Sequence, residues 1–335
     1  MRKLRVNTEI YLLVGGILLH HTTHRTTMKL TNHHGLPDTF VNVIKRPTYS
    51  KGRADMSATE LINSPRIVSL KKKHWDDIEQ DASEMVWALF GSACHNILEH
   101  GKDKHHVVEE RLHTVFEGWK LSGAIDLQEV MDDGIIISDY KVTGAWAVMN
   151  EKDDWTYQLN IYAWFKDRVS MLADPVNFKP VKALQIIAII RDWSGRDAKT
   201  RDGYPQSPVA TIPITLWPYA QREEFVRNRI EIHNEANFAE ATGDQLPLCT
   251  ESEMWEKPTM FALKKEGNIR AKSVHETSDE AEVAKASLKD SKGYFVEKRE
   301  GERTRCASYC QVSQFCDQYQ AYTSQPKSAD SQDLK

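Results

Sequence analysis

Hydrophobic and polar positions along the chain change their period several times, and each change predicts a new element. Apolar residues recur at helical spacing over residues 75–100, 155–172 and 219–242. Alternating or continuous apolar runs predict strands over residues 106–114, 121–129, 135–141, 181–190 and 209–217. The order helix, three strands, helix, two strands, helix predicts an α/β fold with a mixed sheet.

Shorter signals mark the ends of elements. Ser57 and Glu60 fit an S-x-x-E capping box, which predicts a helix start that Pro65 interrupts. Asp132-Asp133-Gly134 predicts a hairpin turn, and Gly267-Asn268 predicts a second hairpin in a looser region that begins near residue 247. The polar residues 323–335 are typical of a disordered tail.

Composition places the chain among globular proteins. Its 335 residues are 40% hydrophobic and 27% charged, which excludes an intrinsically disordered chain. Lys and Arg number 44 against 48 Asp and Glu, so the net charge is −4 and indicates no bulk attraction to nucleic acid. Five cysteines in a chain of this length exclude a secreted disulfide framework.

The N-terminal residues need a separate interpretation. Residues 10–19 form an apolar run that is too short to span a bilayer. It resembles part of a signal peptide, but no small-x-small cleavage site follows. We therefore interpret residues 1–27 as a non-native or disordered extension before a native start at Met28, in a cytoplasmic protein without a membrane. An export signal or membrane anchor is the alternative.

Two acidic residues and a lysine stand at neighbouring strand ends. Asp126 ends one predicted strand and Asp139 lies on the next, two residues before Lys141. Because side chains two apart leave the same face of a strand, Asp139 and Lys141 share a face. Two carboxylates beside a lysine are suited to metal-assisted phosphodiester hydrolysis, with Mg²⁺ or Mn²⁺ on the hard oxygen ligands.

Four short motifs, taken in order, resemble a known family. They are Gly91-x-x-x-His95, Gly123-x-x-Asp126, Asp139-x-Lys141 and Gln158-x-x-x-Tyr162. In this order the chain resembles the PD-(D/E)XK nuclease superfamily, and within it the RecB-like branch of CRISPR-associated adaptation exonucleases and phage exonucleases. The resemblance is strong over residues 55–165. It implies a restriction-endonuclease-like core over residues 28–245, in which helices flank a mixed central sheet, and a Cys-containing metal-binding region over residues 246–322.

The resemblance also implies roles for single residues. Metal ligands would be His95, Asp126, Asp139 and the backbone carbonyl of Tyr140. Lys141 would be the catalytic lysine, and Gln158 and Tyr162 would position DNA or that lysine. A further acid would be Glu109 or Glu110, and we favour Glu110.

Each of these residues has an ordinary structural alternative. Singly, His95 would be a core histidine, Asp126 a turn residue, Lys141 a surface charge and Tyr162 a core aromatic. D-x-K alone occurs by chance in many proteins. The four motifs together favour the functional interpretation, because one coincidence does not supply the other three.

The cysteines form a second pattern. Cys306, Cys310 and Cys316 have the spacing C-x3-C-x5-C, and Cys249 is a candidate fourth ligand. Four thiolates suit a [4Fe–4S] cluster or a structural Zn²⁺. The RecB-like branch often carries an iron–sulfur cluster with a lone cysteine before the core, whereas Cys249 follows it, so the metal stays open. Cys94 is a competing ligand, and four unrelated thiols are the ordinary alternative.

These observations lead to a prediction of function. We expect a metal-dependent DNA nuclease, in particular an exonuclease of phage type that acts in DNA processing or recombination, with a recombination or single-strand-binding protein as a candidate partner. The alternative is a catalytically inactive DNA-binding scaffold on the same fold. Phosphate contacts would come from local basic segments at residues 71–73, 191–204 and 264–272. The oligomeric state stays open.

Overall fold

The computed structural model describes residues 13–14, 17–18, 29–46, 51–150 and 152–324. Its strands, in chain order, are β1 Leu13–Val14, β2 Ile17–Leu18, β3 Lys29–Thr31, β4 Met56–Ser57, β5 Glu79–Asp81, β6 His106–Phe116, β7 Trp119–Val130, β8 Ile135–Thr143, β9 Val181–Ile190, β10 Val209–Ile214, β11 Glu256–Lys257, β12 Met260–Lys265, β13 Ser273–His275, β14 Tyr294–Arg299 and β15 Glu302–Arg303. Its α-helices are α1 Asp38–Ile44, α2 Ala58–Ile62, α3 Pro65–Lys73, α4 Val86–Leu98, α5 Ala145–Met149, α6 Asp153–Ala173, α7 Gly195–Thr200, α8 Tyr219–Thr242, α9 Glu251–Met254, α10 Ser278–Ala286, α11 Thr304–Ser308 and α12 Asp317–Thr323. Short 3₁₀ helices cover Ala82–Met85, Glu99–Gly101 and Ser313–Phe315.

A six-stranded mixed sheet forms the centre of the fold. The strand order is β10-β9-β8-β7-β4, and β6 pairs along β7 as well. β6, β7 and β8 are antiparallel neighbours, β8 and β9 are parallel, and β9 and β10 are antiparallel. Helices α5 and α6 make the crossover between the parallel pair. The predicted mixed central sheet flanked by helices is therefore confirmed.

Helix α6 is the central element of the core. It contacts β6, β7, β8 and β9 as well as helices α2 and α8, and its Leu159, Trp164 and Phe165 are fully buried. Helix α4 instead contacts β8 and has no fully buried residue. The two helices that carry the candidate site residues thus differ in how firmly the core holds them.

Gly123 brings α6 unusually close to β7. A Cβ atom at this position would lie 3.0 Å from Tyr162 and 3.2 Å from Phe165, closer than side chains normally pack. A glycine is required where a helix approaches a strand this closely. The glycine of the G-x-x-D motif therefore makes room for an aromatic residue of the candidate site.

Several predicted elements agree with the structure, and one does not. The helix Tyr219–Thr242 and the capping box of Ser57 and Glu60 are both present. The prediction of a single helix over residues 75–100 is wrong for its first third, since β5 and a 3₁₀ turn precede α4. Asp81 explains the break: its carboxylate accepts hydrogen bonds from Ser83 N and Thr31 Oγ1 while β5 pairs with β3.

The C-terminal region packs back onto the core through α3. Strands β12, β13 and β14 form a small antiparallel sheet with the predicted turn at Gly267, and α10 lies against it. Further on, Val312 and Cys316 are buried with Leu70 of α3 and Ile78. The expectations for the N-terminal extension and for the tail after residue 324 lie largely outside the described residues. Among the described helices, none is long and apolar enough to cross a membrane.

Candidate functional site

The end of β7 and the middle of β8 bring two carboxylates together. Asp139 is buried on β8, and Lys141 follows on the same face of that strand. Asp126 is buried near the end of β7, where its Oδ2 accepts a hydrogen bond from Tyr140 N at 2.9 Å. The backbone of β8 thereby holds the Asp126 carboxylate at the strand that carries the other two groups.

His95 of α4 reaches the same place from the neighbouring helix. Its Nε2 lies 3.0 Å from the Tyr140 carbonyl oxygen, and its Nδ1 lies 3.5 Å from Asp126 Oδ2. A carbonyl only accepts, so Nε2 carries the proton, and in the neutral ring Nδ1 keeps a lone pair directed at the carboxylates. This is the arrangement of a metal-binding histidine whose second nitrogen is fixed by the backbone. The Tyr140 carbonyl, predicted as a metal ligand, accepts from His95 here.

Glu109, not Glu110, lies beside these groups. Glu109 Oε1 is 3.8 Å from His95 Nδ1, and the ligand atoms of Glu109, His95 and Asp126 all lie within 4.8 Å of one another. The preference for Glu110 is therefore corrected. Glu110 Oε2 instead accepts hydrogen bonds at 2.7 Å from Gln128 and from Lys166, which hold it away from the cluster.

The backbone at Glu109 explains which of the two acids enters the site. Glu109 has φ +50°, a left-handed conformation that non-glycine residues adopt at a cost of order 1–3 kcal/mol. The ladder between β6 and β7 is interrupted at this residue and resumes at Glu110 opposite Ile125. Such local strain in a strand is typical of functional sites, where it redirects one side chain.

Burial dominates the electrostatics of the cluster, and repulsion between its carboxylates adds to it. Burial, and secondly the charge of Asp139, raise the pKa of Asp126 to about 8. Burial also raises the pKa of Glu109, with added repulsion from Glu99 and Asp139. Carboxylates that repel each other across a buried space are stabilised by a bound cation.

A hydrogen-bonded chain joins Lys141 to α6. Lys141 Nζ lies 2.6 Å from Asp139 Oδ2 and donates to Gln158 Oε1 at 3.1 Å. Gln158 Nε2 donates to Asp139 Oδ1 at 3.1 Å and to the Tyr162 hydroxyl at 2.9 Å. Both oxygens of Asp139 are thus contacted, Oδ2 by the Lys141 ammonium and Oδ1 by the Gln158 amide. Gln158 and Tyr162, one helical turn apart, therefore hold the Asp139–Lys141 pair.

The four C-terminal cysteines meet in a second place. Cys249, Cys306, Cys310 and Cys316 line one small cavity together with Arg66 and Arg305. Cys94 does not line this cavity, although the sequence left it as a competing ligand. The fold thus brings cysteines that are far apart in the sequence to the wall of one cavity.

Burial favours the protonated form of three of these thiols, those of Cys249, Cys306 and Cys310. The pKa of Cys306 is raised to about 11, by burial first and then by the neighbouring cysteines. Burial also raises the pKa of Cys249 and of Cys310. Arg66 favours the thiolate of Cys249, and Arg305 that of Cys310. A metal ion would deprotonate thiols in such a place.

Arg66 fixes the cysteine region and was not identified from the sequence. Its side chain is fully buried, and its Nε donates to Pro247 O at 3.0 Å. Its guanidinium also bonds to the carbonyl of Leu246 and pairs with Asp317. The residue therefore binds the segments on both sides of the four cysteines. An arginine at the start of a short helix carries no sequence signal of that role.

The predicted basic segments have mixed surroundings. Lys71 is partly buried near Cys310 and Glu60, and burial lowers its pKa. The Arg191 guanidinium lies 4.4 Å from the Trp87 ring centre. At the small sheet of β12, β13 and β14, Lys265 and Lys272 both lie over the Tyr294 ring, at 5.5 and 5.6 Å from its centre. Arg191 is thus the member of these segments that lies against α4, the helix of His95.

Comparison with known proteins adds little. No family model and no curated protein matches the chain. A crystal structure titled SSO0001 aligns with a TM-score of 0.37 and 15% identity, covering 58% of this chain and 83% of that one. An alkaline exonuclease, LHK-Exo from Laribacter hongkongensis, aligns with a TM-score of 0.29 and 13% identity, covering 56% and 92%. Both scores are low, so the chemistry of the site has to be inferred from its own geometry.

Proposed function

We propose that the protein is a metal-dependent nuclease that hydrolyses phosphodiester bonds in DNA, and in particular an exonuclease of DNA processing or recombination. The observation that supports this most is the convergence of His95, Glu109 and Asp126 next to the Asp139–Lys141 pair. Acidic ligands beside a positioned ammonium group are the requirement for cleaving a phosphodiester with a metal ion.

The donor set of the cluster fits a divalent cation. Asp126, Glu109 and His95 offer ligand atoms within 4.8 Å of one another. Carboxylate oxygens suit Mg²⁺ and Mn²⁺, and the imidazole favours Mn²⁺ of the two. When bound, the cation would lower the pKa of a water molecule and neutralise charge on the phosphate.

The chain's own residues would do the rest. Lys141, held by Asp139 and Gln158, would place its ammonium group where it orients the attacking water or stabilises the oxygens of the transition state. Gln158 and Tyr162 would keep that lysine at a fixed distance from the metal ligands. This preorganisation matters because a misplacement of about 1 Å can reduce the rate of such reactions by about 10²-fold.

The four cysteines would hold a second, structural group. Their position around one cavity supports a shared bound group. We favour a [4Fe–4S] cluster, as the resemblance implies, with a structural Zn²⁺ as the alternative. Visible absorbance and iron analysis of anaerobically purified protein test the iron–sulfur assignment. A colourless protein that contains zinc would refute it.

The nuclease proposal has a direct test. Purified protein with Mg²⁺ or Mn²⁺ should degrade end-labelled linear DNA, and Asp139→Ala should abolish the activity. End-labelled linear and circular substrates separate exonuclease from endonuclease action. A protein that retains DNA without cleaving it under any divalent cation would instead be the inactive binding scaffold. Full activity of Asp139→Ala would refute the site assignment.

A further inference from the structure

Three exposed aromatic rings line a groove between the core and the cysteine region. Trp146, Trp255 and Tyr309 are 66%, 45% and 67% exposed, and they line one groove of about 450 Å³ together with Lys152 and Lys257. We call this the aromatic groove. Large exposed rings gathered in one groove are unusual on a soluble protein and mark a binding surface.

The rings of the aromatic groove are held from two sides. Trp146 lies on α5, whose first amide, Ala145 N, donates to the Asp192 carboxylate at 2.7 Å. Trp255 has φ +50°, and the Arg305 guanidinium lies 5.6 Å from its ring. Tyr309 lies 5.3 Å from Trp255. Trp255 and Tyr309 therefore form an aromatic pair on one wall of the groove, at a cost in backbone strain at Trp255.

The groove lies close to the candidate active site. Trp146 follows Lys141 by five residues, so the two Cα atoms are no more than about 18 Å apart. An extended nucleic-acid strand of a few nucleotides covers that distance. The cysteine region supplies the opposite wall, since Tyr309 stands between Cys306 and Cys310 in the chain.

The chemistry of the groove selects unpaired bases. A base in a duplex has both faces covered by its neighbours, whereas a single strand can stack each base on an aromatic ring. Lys152 and Lys257 are cations of the groove, and the carboxylates of Asp153 and Asp154 also line it. Because these carboxylates offset the two cations, binding would come from stacking on the rings more than from attraction of phosphates.

We propose that the aromatic groove binds the unpaired bases of a single-stranded DNA end and directs that strand toward Lys141. The inference rests on the proposed nuclease function and assigns the form of DNA that the site receives. Stacking on aromatic rings tolerates any base sequence, so the groove would impose little sequence preference.

Binding without cleavage tests this proposal. Fluorescence anisotropy of a labelled oligo(dT) in EDTA gives the Kd of the wild type, of Trp146→Ala and of Tyr309→Ala. Each alanine variant should raise Kd by about 5- to 150-fold, the loss expected for one base stack. Trp146→Phe and Tyr309→Phe should restore most of the affinity, because an aromatic face remains. Phe238→Ala removes a ring that is 68% exposed on α8 and should leave Kd unchanged.

The outcomes separate the two proposals. An unchanged Kd in Trp146→Ala and Tyr309→Ala would overturn the single-strand site, and a peptide would then be the better occupant. A loss equal in Trp146→Ala and Trp146→Phe would also overturn it, since stacking would not be the cause. Asp139→Ala should bind oligo(dT) like the wild type while it fails to cleave, so failure of the nuclease proposal is scored on cleavage alone.

Discussion

The carboxylate site and the cysteine cavity are built in opposite ways. In the carboxylate site, like charges are gathered on regular elements, and burial raises the pKa of Asp126 and Glu109. In the cysteine cavity, four cysteines are gathered from short turns and helices, and Arg66 binds the surrounding segments. The sheet would hold the first site in place without a metal ion, whereas the second would depend on its bound group for much of its order.

This difference separates activity from stability. Loss of a cation from the carboxylate site should remove catalysis and leave the fold intact, because β7, β8 and α6 are held by the main core. Loss of the group on the cysteines should loosen the C-terminal region, because the hydrophobic cluster around Leu70 and Ile78 is much smaller than the main core. Four predictions test the contrast, from the largest expected effect to the smallest.

The largest effect should come from the cysteine cavity. Cys316→Ser should lose the bound metal and several kcal/mol of stability, since metal binding and folding are coupled. Thermal unfolding and metal analysis measure both. Cys94→Ser is the matched control, because Cys94 does not line the cavity. Equal unfolding temperatures and equal metal contents in the two variants would contradict a structural metal on the four cysteines.

Lys141 should show the reverse behaviour. Lys141→Met should reduce the cleavage rate by about 10²- to 10³-fold, the effect of removing one group that stabilises the transition state, and change the unfolding temperature little. Lys166→Met removes a lysine that pairs with Glu110 outside the cluster and should keep its activity. Should both lysine variants lose activity to the same extent, Lys141 would have no special role.

Asp126 should make the metal-free protein less stable as pH rises. Its folded pKa is raised to about 8, against about 3.9 in an unfolded chain. Between these values the folded protein keeps a proton that the unfolded chain has released, so the free energy of unfolding falls with rising pH. The slope from this group is at most about 1.4 kcal/mol per pH unit.

Urea unfolding from pH 5 to pH 8 in EDTA measures this slope. Asp126→Asn should flatten it, because the amide has no proton to release. Added Mn²⁺ should flatten it as well, since a cation stabilises the charged carboxylate. A wild-type curve parallel to that of Asp126→Asn would show that repulsion within the cluster does not limit stability.

The smallest effect distinguishes two adjacent acids. Glu109→Gln should reduce cleavage by about 10-fold or more, because it removes a ligand charge next to His95 and Asp126. Glu110→Gln should leave the rate unchanged and cost about 1 kcal/mol of stability through its hydrogen bonds to Gln128 and Lys166. Steady-state cleavage in Mn²⁺ and thermal unfolding compare the two, and the opposite ranking would restore Glu110 as the acid of the site.

Local signals predicted local structure well. The capping box at Ser57 and the long helix Tyr219–Thr242 follow from spacing and propensity alone. The first part of the predicted helix over residues 75–100 failed for a long-range reason. Its residues Glu79–Asp81 pair with Lys29–Thr31, and no periodicity within the window reveals a partner strand fifty residues away.

The same limit applies to the candidate site. Asp139 and Lys141 lie on the same face of their strand because they are two residues apart, and this follows directly from the sequence. Glu109 and Glu110 point to opposite faces of their strand, but the sequence does not say which face meets the site. In the structure Glu110 lies opposite Ile125, and Glu109, with its left-handed backbone, enters the cluster. The spacing of Cys306, Cys310 and Cys316 is a local signal, and the sequence left Cys249 as one candidate for the fourth position. Only the structure shows that Cys249 lines the same cavity and that Arg66 binds the adjoining carbonyls.

The contacts of Arg66 have a consequence for the order of events during synthesis. Its guanidinium is buried, and Asp317 is the carboxylate that pairs with it, 251 residues later in the chain. Until the ribosome has made Asp317, Arg66 has no such counter-charge and resists burial. The strands and helices that carry Asp126, Asp139 and Lys141 can assemble earlier, since domains begin to fold as they emerge. The nascent protein would therefore complete its charged cluster first, and α3 would close over the cysteines as a late step of maturation.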